Sequence, residues 1–207
     1  MQDETSKIDA LLADLRRSDH AADASHQLAQ IRDERALSGL VSALDDPQPV
    51  VRTYAALGLA EAGEPRHTER LAALLQDPDL GVRSSAAFAL GKVGHPGAID
   101  ALSAALHASL DLDAHLCRQL VIALADLGGE AAVEPLFHAL KSGFPQVRIV
   151  AAEHLGDVGT GQTVEQLKEY MQSDKDDAVR KSLMEAINTI ISRHTRLERT
   201  NGQSPAK

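Results

Sequence analysis

The sequence predicts an all-α fold, an α-solenoid (superhelix) of about six helix pairs with a period near 31 residues. Three observations predict it. The segment PVVRTYAALGLAEAG (49–63) returns 31 residues later as LGVRSSAAFALGKVG (80–94), and again as PQVRIVAAEHLGDVG (145–159). Ahead of each copy, apolar residues recur at helical spacing. The chain is 43% hydrophobic but only 2% aromatic, with three Phe, two Tyr and no Trp. A core of Leu, Ala, Val and Ile suits close-stacked helices and suits sheets poorly.

The elements follow in order. Residues 1–6 are expected to form an N-terminal tail, and residues 7–194 a single repeat domain. The first repeat (about 7–33) opens with Ile8, Leu11, Leu12 and Leu15, then a worn second helix, HAADASHQLAQIRD (20–33). The second (35–64) pairs Leu37, Leu40, Val41 and Leu44 with the first full copy, and the third (66–95) carries the next. The fourth (97–129) sets Ile99, Leu102 and Leu106 before HLCRQLVIALADLG (115–128). Val133, Leu136 and Leu140 open the fifth (131–160); Val164, Leu167 and Met171 open the sixth (162–194). Within a second helix the core stripe reads Val82, Ala86, Leu90, Val93. Asp46-Pro47 and Asp77-Pro78 turn the chain, and Gly63, Gly94, Gly128 and Gly159 stop the second helices. The degenerate last copy, DAVRKSLMEAINTI (177–190), has no terminal Gly, so its helix is expected to reach about His194. Residues 195–207 then read as a disordered tail.

Arg52, Arg83, Arg148 and Arg180 share one register, with Asp46, Asp79, Gln146 and Asp176 nearby. The spacing tracks the repeat, so a structural ladder tying each inter-helix loop to its neighbour explains it better than an anion-binding row. The fourth repeat breaks the ladder. Its loop HASLDLDAH (107–115) is three residues longer, and Cys117 takes the arginine position, with Arg118 one step later. A free Cys there reads as a small buried hydrophobe, with His115 the nearest base in sequence. The insertion itself is the stronger candidate for a contact.

At 100° per residue, positions opposite the core stripe face outward, onto the inner face expected of the second helices. Those positions hold Tyr54, Leu57, Phe88, Ile122, Ile149 and Val150, an apolar binding groove. A polar rim of Glu61, Lys92, Arg118, Asp126, Glu153 and Asp157 lies beside it. An apolar stripe rimmed by charge is the composition of a protein-binding site.

The repeat, roughly Leu-x-x-Leu-x-Asp-x-x-x-x-Val-Arg-x-x-Ala-Ala-x-Ala-Leu-Gly-x-x-Gly, resembles the short HEAT-like repeat of the phycobilisome-lyase type, over nearly the whole chain. The resemblance implies an accessory or chaperone-like subunit, similar to the smaller subunit of heterodimeric bilin lyases. Its partners would be a phycobiliprotein subunit and a second HEAT-like lyase subunit, with an open-chain tetrapyrrole (bilin) bound transiently. In that reading Arg118 or Lys92 would meet the propionates, Asp126 or Glu153 the pyrrole nitrogens, and Tyr54 and Phe88 the rings. Any enzymatic activity would be bilin lyase activity shared with a partner subunit. The alternative is a generic HEAT-repeat adaptor unrelated to bilins.

Other classes fit poorly. Related deoxyhypusine hydroxylases carry di-iron His-Glu pairs directly after the ladder arginine. Here that register holds Thr53-Tyr54, Ser84-Ser85, Arg118-Gln119 and Ile149-Val150, so no metal site and no intrinsic cofactor is expected. A net charge of −9 argues against nucleic acid. One cysteine, no apolar run of about 18 residues and a start (MQDETSK) without signal-peptide pattern point to a cytoplasmic chain with no membrane span.

Overall fold

The computed structural model describes residues 2–201, with side chains from Thr5 to Arg196. Twelve α-helices and four short 3₁₀ turns make up the described residues, which contain no strand. The helices are α1 (Gln2–Asp14), α2 (Ala21–Ile31), α3 (Glu34–Ala43), α4 (Pro49–Ala62), α5 (Thr68–Ala73) and α6 (Leu80–Val93). They continue as α7 (Ile99–Ser109), α8 (Ala114–Leu127), α9 (Val133–Ala139), α10 (Pro145–Val158), α11 (Gly161–Ser173) and α12 (Asp177–Asn201). This is an α-solenoid, as the repeat requires.

Packing divides the chain into two compact units, residues 1–105 and 106–207. In the N-terminal unit α2, α4 and α6 pack side by side as second helices, with α1, α3 and α5 behind them. Leu28, Leu37, Leu40, Leu59, Leu71 and Leu90 fill its interior and are essentially inaccessible to solvent. In the C-terminal unit α8, α10 and α12 form the corresponding row, backed by α9 and α11. Leu120, Leu124, Leu136, Leu155 and Leu167 fill that interior. Alanines at 55, 56, 86, 87, 151 and 152 are fully buried. Small side chains between second helices let the backbones approach closely, and a larger residue would overpack the contact.

The ends of the helices differ from the sequence expectation in three places. α1 begins at Gln2 rather than after residue 6, because nothing between 2 and 14 is Gly or Pro. α12 runs to Asn201 instead of stopping near His194, since the good helix formers Arg196, Leu197, Glu198 and Arg199 carry it on and no Gly or Pro stands before Gly202. Of the expected tail, residues 202–207 lie outside the described residues. Gly63 and Gly94 end their helices at φ 68° and 70°, in the left-handed region that favours glycine. Gly159 does not: its φ is −67°. It is required for space, since a Cβ there would sit 2.5 Å from the Leu155 carbonyl oxygen and 2.9 Å from Ile190 Cδ1.

The arginine ladder is real, and its chemistry corrects the sequence pairing. Each arginine donates through Nη1 to the carbonyl six residues before it. Arg52 reaches Asp46 O (2.9 Å), Arg83 Asp77 O (2.7 Å), Arg148 Ser142 O (2.9 Å) and Arg180 Asp174 O (3.0 Å). For Arg52 and Arg148 the carboxylate partner comes from the following repeat. Arg52 clamps Asp77 at 2.7 and 2.7 Å, and Arg148 clamps Asp174 at 2.7 and 3.1 Å. The acids nearby in sequence do other work: Asp79 caps α6 through Val82 N–H, and Asp176 caps α12 through Val179 N–H. Asp46 accepts from Gln48 N–H and from Arg16. The Arg52 and Arg148 rungs therefore tie one inter-helix turn to the next repeat, whereas Arg83 bonds to its own turn and Arg180 pairs with Asp177 three residues before it.

At the fourth repeat both halves of a rung have changed. Cys117 is fully buried, and its thiol donates to Ser109 O at 3.0 Å. The acid that would face an arginine there is Ser142, whose hydroxyl donates to Leu110 O (2.9 Å) and accepts from Phe144 N–H (3.2 Å). Burial, then Asp113 and Asp111, push the Cys117 thiol up to about 11. A protonated, buried thiol is a poor nucleophile, and His115 lies exposed.

Candidate functional site

The outward face of each row of second helices is built by the same arithmetic that buries its opposite side. In the N-terminal unit, residues 22, 23, 26, 27 and 30 of α2 are exposed, as are Glu61 of α4 and Phe88 and Lys92 of α6. Tyr54 and Leu57 are half-buried between them. Phe88 keeps 43% of its surface exposed, and the Lys92 ammonium lies 5.6 Å from its ring centroid. At that distance the cation meets the negative face of the ring, a weak attraction at an exposed site. The Ser25 hydroxyl donates to Tyr54 O at 2.6 Å, pinning α4 to α2 beneath this surface.

One polar constellation here was not singled out in the sequence. His26 Nδ1 lies 2.8 Å from Glu61 Oε2, and the Gln30 amide nitrogen 2.8 Å from His26 Nε2. The Glu61 carboxylate and the Gln30 amide thus engage both ring nitrogens of His26. The signal was available, because His26 and Phe88 occupy the same register position two repeats apart.

The C-terminal unit carries a different surface. Ile122 of α8 and Ile149 and Val150 of α10 are half-buried; Arg118, Asp126, Glu153 and Asp157 are exposed. Lys181 and Glu185 of α12 lie on the same face, 3.7 Å apart. His154 approaches Asp157 at 3.7 Å. Arg193 of α12 donates to the backbone carbonyls of Asp157 and Gly159 at the end of α10. The twelve sequence candidates thus fall on two faces, five in the N-terminal unit and seven in the C-terminal one.

The insertion forms a tight turn over residues 110–113. Leu112 N–H and Asp113 N–H both donate to Ser109 O, and Asp113 caps α8 through Leu116 N–H. Leu112 is 80% exposed, the most exposed large hydrophobic side chain among the described residues.

Titratable groups with displaced pKa values lie off both faces. Burial, then neighbouring Arg66, lower the pKa of His67, whose Nε2 is buried without a hydrogen-bond partner. His138 is lowered by burial, by His107 stacked on it at 3.4 Å between centroids, and by Lys141. In the folded chain both histidines therefore favour the neutral form. Below an unfolded pKa of about 6.5 the unfolded chain takes up protons that the folded chain refuses. Stability should therefore fall as the pH drops from 7 towards 5. Urea denaturation at both pH values checks this. A His67→Gln/His138→Gln variant should show a flatter dependence, and an unchanged slope would remove these histidines as the cause.

Among the described residues, no group of three His, Cys, Asp or Glu side chains could hold a metal ion. None of their helices is long and apolar enough to cross a membrane.

A family model described as HEAT repeats matches residues 8–79, 37–115 and 111–188. No curated protein matches the sequence. Among solved structures, the complex of CpcE and CpcF of phycocyanin lyase from Nostoc sp. PCC7120 superposes with a TM-score of 0.62 at 22% identity. The match covers 86% of this chain and 75% of that one. An engineered protein matches with a TM-score of 0.59 at 23% identity, over 89% and 96% of the two chains. A designed armadillo repeat protein in complex with the peptide (KR)4 matches with a TM-score of 0.58 at 20% identity, over 87% and 98%. At these identities the likeness is one of fold.

Proposed function

The chain belongs to the HEAT-repeat family, and we propose that it is a protein-binding scaffold acting as an accessory, chaperone-like subunit of a bilin lyase. The observation that carries binding is the N-terminal face, where Phe88 stays 43% exposed with Lys92 over its ring, beside half-buried Tyr54 and Leu57. A stacked-helix surface that leaves an aromatic anchor exposed has the composition of an interaction hot spot. The likeness to the CpcE–CpcF complex supports the finer reading, in which the partners are a second HEAT-like chain and a phycobiliprotein subunit. The attacking thiol would belong to the phycobiliprotein, so this chain need only hold and orient. Tyr54 and Phe88 would pack on a tetrapyrrole, and Lys92 would meet a propionate. The likeness to a designed armadillo repeat protein in complex with a peptide favours a second reading, an adaptor that binds protein and no pigment.

Co-expression with a phycobiliprotein subunit, a HEAT-like lyase chain and a bilin source tests both. Covalently attached bilin, read by absorbance of the denatured phycobiliprotein, should increase when this chain is present. Phe88→Glu should remove the increase while the thermal melt stays within a few degrees. If wild type adds nothing to attachment, the lyase reading falls and the adaptor remains.

A further inference from the structure

We infer that the open side of α12 docks against α12 of a second copy of this chain, antiparallel about a two-fold axis. A side chain's position in its repeat fixes which way it looks along a row of second helices. Gly58 of α4 looks back to α2, where an added Cβ would sit 2.7 Å from Ser25 Oγ. Ala186 holds the same position in α12 and looks back to α10, where a Cβ on Gly156 would sit 3.0 Å from its Cα. The residues two before and two after that position look forward instead, towards the following second helix. They are Ala56 and Ala60 in α4 and Ala152 and Gly156 in α10, all small and all buried. In α12, the last of its row, the same positions hold Met184 and Asn188, and both are exposed. Ile191, at the position of Gly63 and Gly159, is exposed beside them.

The closing repeat of a solenoid ordinarily turns a polar face outward. Here Met184 keeps 49% and Ile191 48% of its surface exposed, in the register that every earlier helix of the two rows uses for packing on its successor. The position therefore calls for a helix, and the pattern around it selects a copy of α12 itself. Met184 and Ile191 lie on one side of the stripe, each about 5 Å along the axis from the point midway between them. A two-fold rotation through that point reverses the helix, so Met184 of each copy meets Ile191 of the other. Asn188, near the midpoint, then faces its own counterpart, and an amide can both donate to and accept from a second amide. Lys181 and Glu185 at the edge of the stripe lie 3.7 Å apart and offset each other's charge. Such an isologous contact closes at two chains, whereas head-to-tail stacking of repeats would continue without limit.

Sedimentation velocity of the full chain from about 2 to 200 µM tests this. A contact confined to one helix from each chain belongs with the small, transient interfaces below about 1,200 Å², so dissociation in the micromolar range is expected. The mean mass should rise with concentration towards twice the 22.1 kDa of the chain. Met184→Glu/Ile191→Glu should weaken association by about tenfold or more with an unchanged circular-dichroism melt. Leu112→Glu, at a more exposed leucine, should leave it intact. Cross-linking fixes the orientation: under oxidised glutathione, Asn188→Cys should form a disulfide-linked dimer about tenfold faster than Leu112→Cys. A chain that stays monomeric at about 200 µM overturns the inference. So does a dimer indifferent to the two glutamates, or one that cross-links no faster through position 188. The Phe88 face takes no part in this contact, so neither result bears on the binding reading above.

Discussion

Alanine in place of Arg148 should destabilise the protein by about 3 kcal/mol, because it strands a buried carboxylate. Asp174 keeps only 11% of its side chain exposed, and the arginine covers it with two hydrogen bonds, of 2.7 and 3.1 Å. The same substitution also removes the donor to Ser142 O, so a turn carbonyl loses its partner. At this chain length that loss corresponds to a fall in Tm of roughly 6–12 °C. The comparison is Arg35→Ala, whose pair with Asp9 is half exposed on both sides and should be worth less than about 1 kcal/mol. Burial pushes the Asp174 carboxyl up, but the Arg148 hydrogen bond and the Asp176 N–H more than offset it, leaving it below its ordinary value. The sign follows: the rung stabilises above the unfolded pKa of about 3.9 and is lost as pH falls through the lower folded value. Urea denaturation at pH 7 measures the effect. A loss below about 1 kcal/mol would mean that water or Asp176 satisfies Asp174 unaided, and the ladder would not be a stability element.

The ladder also marks the limit of what a sequence conveys. Four arginines in one register are plain to read, because a repeat writes the same local environment several times. The carboxylates that Arg52 and Arg148 clamp are not, since Asp77 lies 25 residues from Arg52 and becomes adjacent only when the repeats stack. Local acids such as Asp79 and Asp176 look like better partners and are spent on helix caps instead. The outward register is legible for the same reason as the ladder. Period 3.6 assigns Tyr54, Leu57 and Phe88 to the side opposite Val82 and Leu90 without reference to any neighbour. The His26–Glu61 contact needs two helices in place, so position alone suggests it and only packing makes it. Leu112 lies beyond both kinds of reasoning. An insertion has no repeat to calibrate it, and its leucine looks like core until the turn is seen to carry it outward.

Aspartate at position 142 alone should destabilise the protein by about 3 kcal/mol or more, and arginine at position 117 alone by a similar amount. The two together should recover at least about 2 kcal/mol of that combined loss. Ser142 is 2% exposed and Cys117 is wholly buried, so either charge by itself would be desolvated without a counter-ion. Ser142→Asp also deletes the hydroxyl that donates to Leu110 O, and Cys117→Arg the thiol that donates to Ser109 O. Yet these are the positions that hold Asp174 and Arg148 one rung later, although the Cys117 thiol reaches back eight residues to its turn where Arg148 reaches back six. If the two exchanges are one event, the charged pair regenerates a clamp between the fourth and fifth repeats, and the double-mutant cycle shows strong favourable coupling. The four proteins can be compared by urea denaturation at pH 7. Strictly additive losses would show that the three extra residues of the insertion have moved the turn out of ladder register. The polar pair that replaced the rung would then be fitted to the displaced turn itself. Favourable coupling would mean instead that the turn carrying Leu112 stands on an intact repeat frame, with a neutral rung serving where a charged one would still fit.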